Sequence, residues 1–233
     1  MNSLDNVSIS ITNPEVSSPN RRSDSTQCVV ESNRRSDSTQ CVVESKKKIP
    51  MCLLREFQEK HRKIYILTTR YNNKTLLANR AFLEKSGGKY KCVYSSPSEI
   101  SDKIPTGSKC VVLEMNNDTN QIIGIGLIDK TECKKKLWIQ EWGNYNRVHY
   151  TGYFRMDRSD IDSDSRETKI MKMLDILCFK GSGHLKRGKG LTMFPVSYLY
   201  SYFEKGVDIE LEIREMFNRR FSVDSPPNPR SSS

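Results

Sequence analysis

The chain has 233 residues, with 38 Lys and Arg against 28 Asp and Glu and a formal net charge of +10. That length suits one large or two small domains, at roughly 100–200 residues each. No apolar run reaches the about 18 residues of a membrane span, and the opening MNSLDNVSIS lacks the basic and apolar regions of a secretory leader. The seven Cys are therefore expected as free thiols in an intracellular compartment, cytoplasm or nucleus.

Residues 1–45 hold four basic side chains (Arg21, Arg22, Arg34, Arg35) against six acidic ones, a net of −2. The remainder holds 34 against 22, or +12. The positive charge thus belongs to the folded part, where it attracts polyanions, nucleic acid above all. Residues 20–32 read NRRSDSTQCVVES, and 33–45 repeat them unchanged. A 13-residue period matches no solenoid unit, and one CVV island per copy cannot offset the ordering entropy. Residues 1–49 are expected to be a disordered tail carrying a tandem duplication. Arg-Arg-Ser followed by acid also resembles a kinase substrate, at Ser23 and Ser36. Lys46, Lys47 and Lys48 read as an import signal or a linker. Residues 50–222 are expected to form a single α+β domain, and 223–233 (VDSPPNPRSSS) a second disordered tail.

Within that domain, 52–61 (CLLREFQEKH) reads as a short helical entry, and 63–69 (KIYILTT) as a strand. Asn72 and Asn73 offer caps for a helix over 75–85, with Leu77, Ala81 and Phe82 on its apolar face. Residues 91–94 are a short strand. Residues 110–115 (CVVLEM) and 121–129 (QIIGIGLID) form a hairpin, in which Gly124 and Gly126 leave one strand face bare. Residues 137–142 (LWIQEW) and 147–156 (RVHYTGYFRM) read as two more strands, the first placing Trp138 and Trp142 on one side. A helix over 167–179 groups Ile170, Met173, Leu174 and Leu177. A short strand (191–194) and a helix begun by Pro195 follow. The last helix, 208–221, carries an apolar stripe of Ile209, Ile213, Met216, Phe217 and Phe221.

The segment 104–128, IPTGSKCVVLEMNNDTNQIIGIGLI, resembles the pseudouridine-synthase and archaeosine-transglycosylase (PUA-like) superfamily, including its EVE and ASCH branches. The matching residues are Gly107, Val111, Val112, Ile123, Gly124, Ile125 and Gly126, and the likeness covers about 63–160. It implies a small curved β-barrel, here with flanking and C-terminal helices, that binds RNA or holds a single, often modified, base. The long C-terminal helices and the glycine loop described next depart from the pattern. A divergent module behind an Asn- and Ser-rich tail also resembles proteins of large DNA viruses.

Two patterns carry chemistry. Residues 180–190 (KGSGHLKRGKG) interleave Gly181, Gly183, Gly188 and Gly190 with Lys180, Lys186, Arg187 and Lys189. Backbone N–H groups and cations in such a loop can clamp a nucleic-acid backbone; a flexible basic surface loop is the plain alternative. It is neither a Walker nor a Rossmann loop. His184 within it is a candidate acid or base. The second pattern is aromatic: Trp138, Trp142, Tyr145, Tyr150, Tyr153 and Phe154 alternate with Arg147, His149, Arg155 and Arg158. Unpaired bases stack on exposed rings beside arginine, and Trp138, Trp142, Tyr150 and Arg155 are the candidate contacts. No zinc spacing occurs among the cysteines. Asp157, Asp160, Asp162 and Asp164 read as a capped turn rather than a metal loop. Neither a metal nor a cofactor is expected.

Three functions follow from these patterns. The first is a non-enzymatic module binding RNA, or else single-stranded DNA. The second is a nuclease or nucleotide-modifying enzyme using His184. The third is a viral-type protein that engages a host protein through its C-terminal helix.

Overall fold

The run IYILTT carries no charge before Arg70 and needs partners on both faces, and the strand β1 (Tyr65–Tyr71) finds them. The computed structural model describes residues 49–141, 143–161 and 165–221. The duplicated tail, Lys46–Lys48, Trp142, Asp162, Asp164 and residues 222–233 lie outside them. The chain divides between Lys46 and Lys47.

Helix α1 (Met51–His61) leads into β1, and helix α2 (Asn73–Lys85) leaves it. Asn72 caps α2, its Oδ1 accepting from the Thr75 amide at 2.8 Å, as that polar pair promises. Then come β2 (Cys92–Ser96), β3 (Lys109–Asn116), β4 (Gln121–Asp129), β5 (Val148–Gly152) and β6 (Phe154–Asp157). Helix α3 (Arg166–Phe179), β7 (Thr192–Met193), α4 (Val196–Phe203) and α5 (Ile209–Phe221) complete the described chain. Five strands form one sheet in the order β6-β4-β3-β1-β7, while β2 and β5 form a separate antiparallel pair. The protein is thus α+β, but the two sheets are not joined into a closed barrel. Strand β1 runs parallel to β3, which requires a long crossover; α2 and β2 supply it.

Strand β3 shows why its sequence is continuously apolar. Alternate side chains point to opposite faces, and both faces are covered. Val111, Leu113 and Met115 meet α1, α3, α4 and α5 in the larger core, while Cys110 and Val112 meet the β2–β5 pair. Helix α5 closes the larger core with Ile209, Ile213, Met216 and Phe217. Its apolar stripe is therefore spent on folding, which removes the docking surface expected of it. Arg219 and Arg220 hold α5 to α3 through Glu167, Arg220 at 2.5 Å.

The expectations differ from the structure in four places. Of the strand expected over 137–142, the described residues 137–141 form none; Leu137 and Ile139 plug a small core against Val93 as irregular chain. Residues 147–156 split into two strands in different sheets. The chain passes so close to β4 at Gly152 that a side chain there would overlap Leu127 O. Helix α2 buries Asn79, whose Nδ2 donates to Val93 O at 2.8 Å, and exposes Leu77. Helix α3 buries Met171 and Cys178 rather than centring its face on Met173 and Leu177.

The bare face of β4 has a specific occupant. Glu114, 4% exposed, accepts from Tyr94 Oη at 2.7 Å and from Arg155 Nη2 at 2.7 Å and Nε at 3.0 Å. Arg155 also donates to Asp157 at 2.7 Å. Burial opposes the Arg155 charge, yet Glu114 outweighs it and pushes the guanidinium pKa further up. A methyl group at Gly126 would overlap Tyr94 Oη, so the glycine strand makes room for a buried ion pair. Breaking one partner of such a pair costs about 3–5 kcal/mol. Arg155→Ala is expected to reduce the unfolding free energy in urea by about that amount, whereas a loss under about 1 kcal/mol would show the pair to be dispensable.

Candidate functional site

Ligands of open α/β sheets bind beyond the carboxyl ends of parallel strands. Here the ends of β1 and β3 open onto a cavity of about 430 Å³, within the usual range of small-molecule sites. Arg70 and Asn72 form the wall where β1 hands over to the positive end of α2. Asn117, just past β3, forms a second wall. Gln140 and Tyr145 form a third, and Lys186 comes from the glycine loop.

Arg70 is the electrostatic centre. Its Nε donates to Leu185 O at 2.6 Å and its Nη1 to Thr192 Oγ1 at 2.8 Å. No carboxylate pairs with it among the described residues, and burial lowers its pKa. A half-buried cation with neutral partners attracts an anion. Lys186 adds a second charge. Lys74 reaches the cavity too, but is paired with Glu141. Asn117 Nδ2 donates to Lys186 O at 3.2 Å, while its Oδ1 is a buried acceptor with no partner among the described residues.

The glycine loop is anchored rather than loose. Leu185 N donates to Cys178 O at 2.7 Å, and Tyr198 Oη donates to Gly183 O at 2.6 Å. A Cβ at Gly188 would stand 2.9 Å from the Arg70 guanidinium carbon, and one at Gly190 would overlap Ser96 Oγ. Those glycines allow the loop to close over Arg70. Lys186, Gly188 and Gly190 line the cavity. Lys180, Gly181, Gly183, Arg187 and Lys189 are exposed outside its lining.

Residues 137–141 are irregular and Gly143–Asn146 form a single 3-10 turn, yet both stretches are held. Asn146 Oδ1 accepts from the amides of Ile139 (2.9 Å) and Gln140 (2.8 Å), and its Nδ2 donates to Gln140 O at 2.6 Å. This clamp turns Gln140 and Tyr145 into the cavity and leaves Trp138, 66% exposed, on a separate groove. Tyr150 is 2% exposed, and its Oη accepts from the Ile100 amide at 3.0 Å. Arg155 is committed to Glu114. Both serve the core and neither reaches the cavity.

His184 is half-buried and does not line the cavity, and no hydrogen bond from its ring to another side chain occurs among the described residues. His61 packs on Phe57 and Phe203, while His149 Nδ1 lies 3.2 Å from Ser95 Oγ. The three histidines thus occupy separate surroundings. Among the described residues no group of His, Cys, Asp and Glu is arranged to hold a metal, and no helix is long and apolar enough to cross a membrane.

Sequence reasoning found the glycine loop and the aromatic segment but missed Arg70, Asn117 and Gln140. The available signal was an arginine ending an uncharged strand, in ILTTRY. No family model matches the chain, and no curated protein or solved structure is detectably similar to it.

Two measurements bear on this geometry. Asn146→Ala removes the hydrogen bonds to Ile139 and Gln140, at about 0.5–1.5 kcal/mol each. It should speed amide exchange at Ile139 and Gln140; unchanged protection there would contradict the clamp. Burial pushes the thiols of Cys92 and Cys178 up to about 12 and Cys110 up to about 11, and the thiolate is the nucleophile. Iodoacetamide at pH 8 should therefore modify exposed Cys52 and spare those three. Equal modification of Cys52 and the buried three would mean that the core opens readily.

Proposed function

We propose that the protein binds single-stranded nucleic acid, RNA by preference, and holds one nucleotide in the cavity between β1, β3 and the glycine loop. The carrying observation is Arg70, a half-buried guanidinium whose hydrogen bonds go to neutral oxygens, set beside Lys186 and Tyr145 in one concave site. A phosphate supplies the missing counter-charge. The Tyr145 ring offers a stacking face, and the side-chain amides of Asn117 and Gln140 present donors and acceptors suited to a base edge. The Asn117 acceptor without a partner supports this, since a buried polar group favours a ligand that satisfies it.

The net charge of +12 over residues 46–233 agrees with a polyanionic ligand. The preference for RNA, and for a base that is often modified, rests on the PUA-like resemblance of 104–128. On this reading the hairpin β3–β4 and its glycine strand are a PUA-like element in an open arrangement. Lys186 contacts phosphate directly, and Arg187 and Lys189 extend the positive field at the mouth. The reading needs no catalysis and assigns none to His184.

A fluorescently labelled single-stranded RNA should bind with an affinity that falls steeply as salt rises. Stacking contributes about 1–3 kcal/mol per base, so Tyr145→Ala should weaken binding about 5- to 150-fold. Replacing Lys186, Arg187 and Lys189 together by Gln should flatten the salt dependence, by roughly 0.7 in slope for each phosphate no longer neutralised. Variants that remain folded and keep wild-type affinity and slope would overturn the assignment.

A further inference from the structure

The exposed indole of Trp138 is the chief unexplained feature of the surface. Its neighbours Leu137 and Ile139 are buried, and Asn146 fixes the backbone that follows, so the ring is held outward. It borders a groove of about 420 Å³ with Lys134, Lys135, Lys136 and Arg147. Arg147 Nη2 donates only to the neutral Asn144 Oδ1, at 3.1 Å, among the described residues. Glu132 is the one carboxylate in the lining, and none of these four cations pairs with it or another acid among the described residues. His149 closes the inner wall, where burial lowers its pKa.

This groove and the cavity share one wall. Ser95 lines the cavity and His149 lines the groove, and their side chains meet at 3.2 Å. Gln140 and Tyr145 line the cavity, while Trp138 and Arg147 line the groove. Beyond the Ser95–His149 wall from Arg70 and Lys186, the groove thus gathers a second set of cations around an exposed aromatic face.

We propose that this groove is a second nucleotide site, at which Trp138 stacks on a base adjacent along the same strand and Lys134–Lys136 with Arg147 neutralise the linking phosphates. The inference rests on the nucleic-acid reading of the cavity and extends it from one nucleotide to a strand bent round the segment 137–147. The four cations and the single acid favour a polyanion. The ring among them favours one whose units carry flat, stackable faces.

The test compares an eight-residue oligouridylate with uridine monophosphate on the full chain. Trp138→Ala is expected to weaken binding of the octamer about 5- to 150-fold while leaving the mononucleotide unchanged; Trp138→Phe should recover most of the loss. Octamer binding that is unaltered by Trp138→Ala, yet weakened by Tyr145→Ala, overturns the groove and keeps the cavity. Failure of the wild-type protein to bind either ligand overturns both. Binding of an oligoglutamate peptide that Trp138→Ala abolishes, with octamer binding untouched, overturns the nucleotide site in favour of an acidic protein segment.

Discussion

The architecture depends on a buried ion pair laid on a glycine strand. Glu114 projects from β3 into the space between the two sheets, where an unpaired carboxylate would be costly. Arg155 crosses from β6 to meet it with two nitrogens, and Tyr94 approaches from β2 on the other sheet. Burial above all holds the Tyr94 hydroxyl well above its ordinary pKa, so it stays a donor. Three strands of two sheets are thus tied to one carboxylate, and the absence of a side chain at Gly126 lets them approach.

That tie also places the site. Ser95 follows Tyr94 and lines the cavity, and Asn117 lies three residues beyond Glu114. The end of β3 and the end of β2, tied together by the Tyr94–Glu114 bond, therefore border the same cavity. Parallel pairing of β1 with β3 brings Arg70 alongside Met115, on the same rim. The glycine loop then closes from the far side, its approach to Arg70 allowed by Gly188. The groove beside Trp138 inherits the same frame, since Ser95 and His149 are opposite one another in the β2–β5 pair.

Much of the fold was legible in the sequence wherever a local rule decided the outcome. The β3–β4 hairpin, the Asn72 cap and the Pro195 helix start each follow from a few neighbouring residues. Residues 137–142 misled because alternation of LWIQEW imitates a strand, while the clamp that overrides it comes from Asn146, a side chain with no periodic signature. Residues 147–156 misled because a change of sheet at Gly152 is a tertiary event. The glycine loop was found for its composition, yet its glycines serve the close approach to Arg70 and Ser96. Arg70 itself was not legible, because its importance lies in the lack of a carboxylate beside it. Residue type alone points to Tyr150 and Arg155 as ligand contacts, and burial assigns both to the core.

The central claim is that one cavity, framed by β1, β3, the clamped segment and the glycine loop, receives a nucleotide. The most direct measurement is a nuclear magnetic resonance titration of the labelled protein with uridine monophosphate. The account predicts that shifts concentrate at residues 69–75, Ser95, Asn117, Gln140, Tyr145 and 186–190. Shifts spread over α1 and α4, or none at all at saturating nucleotide, would contradict it.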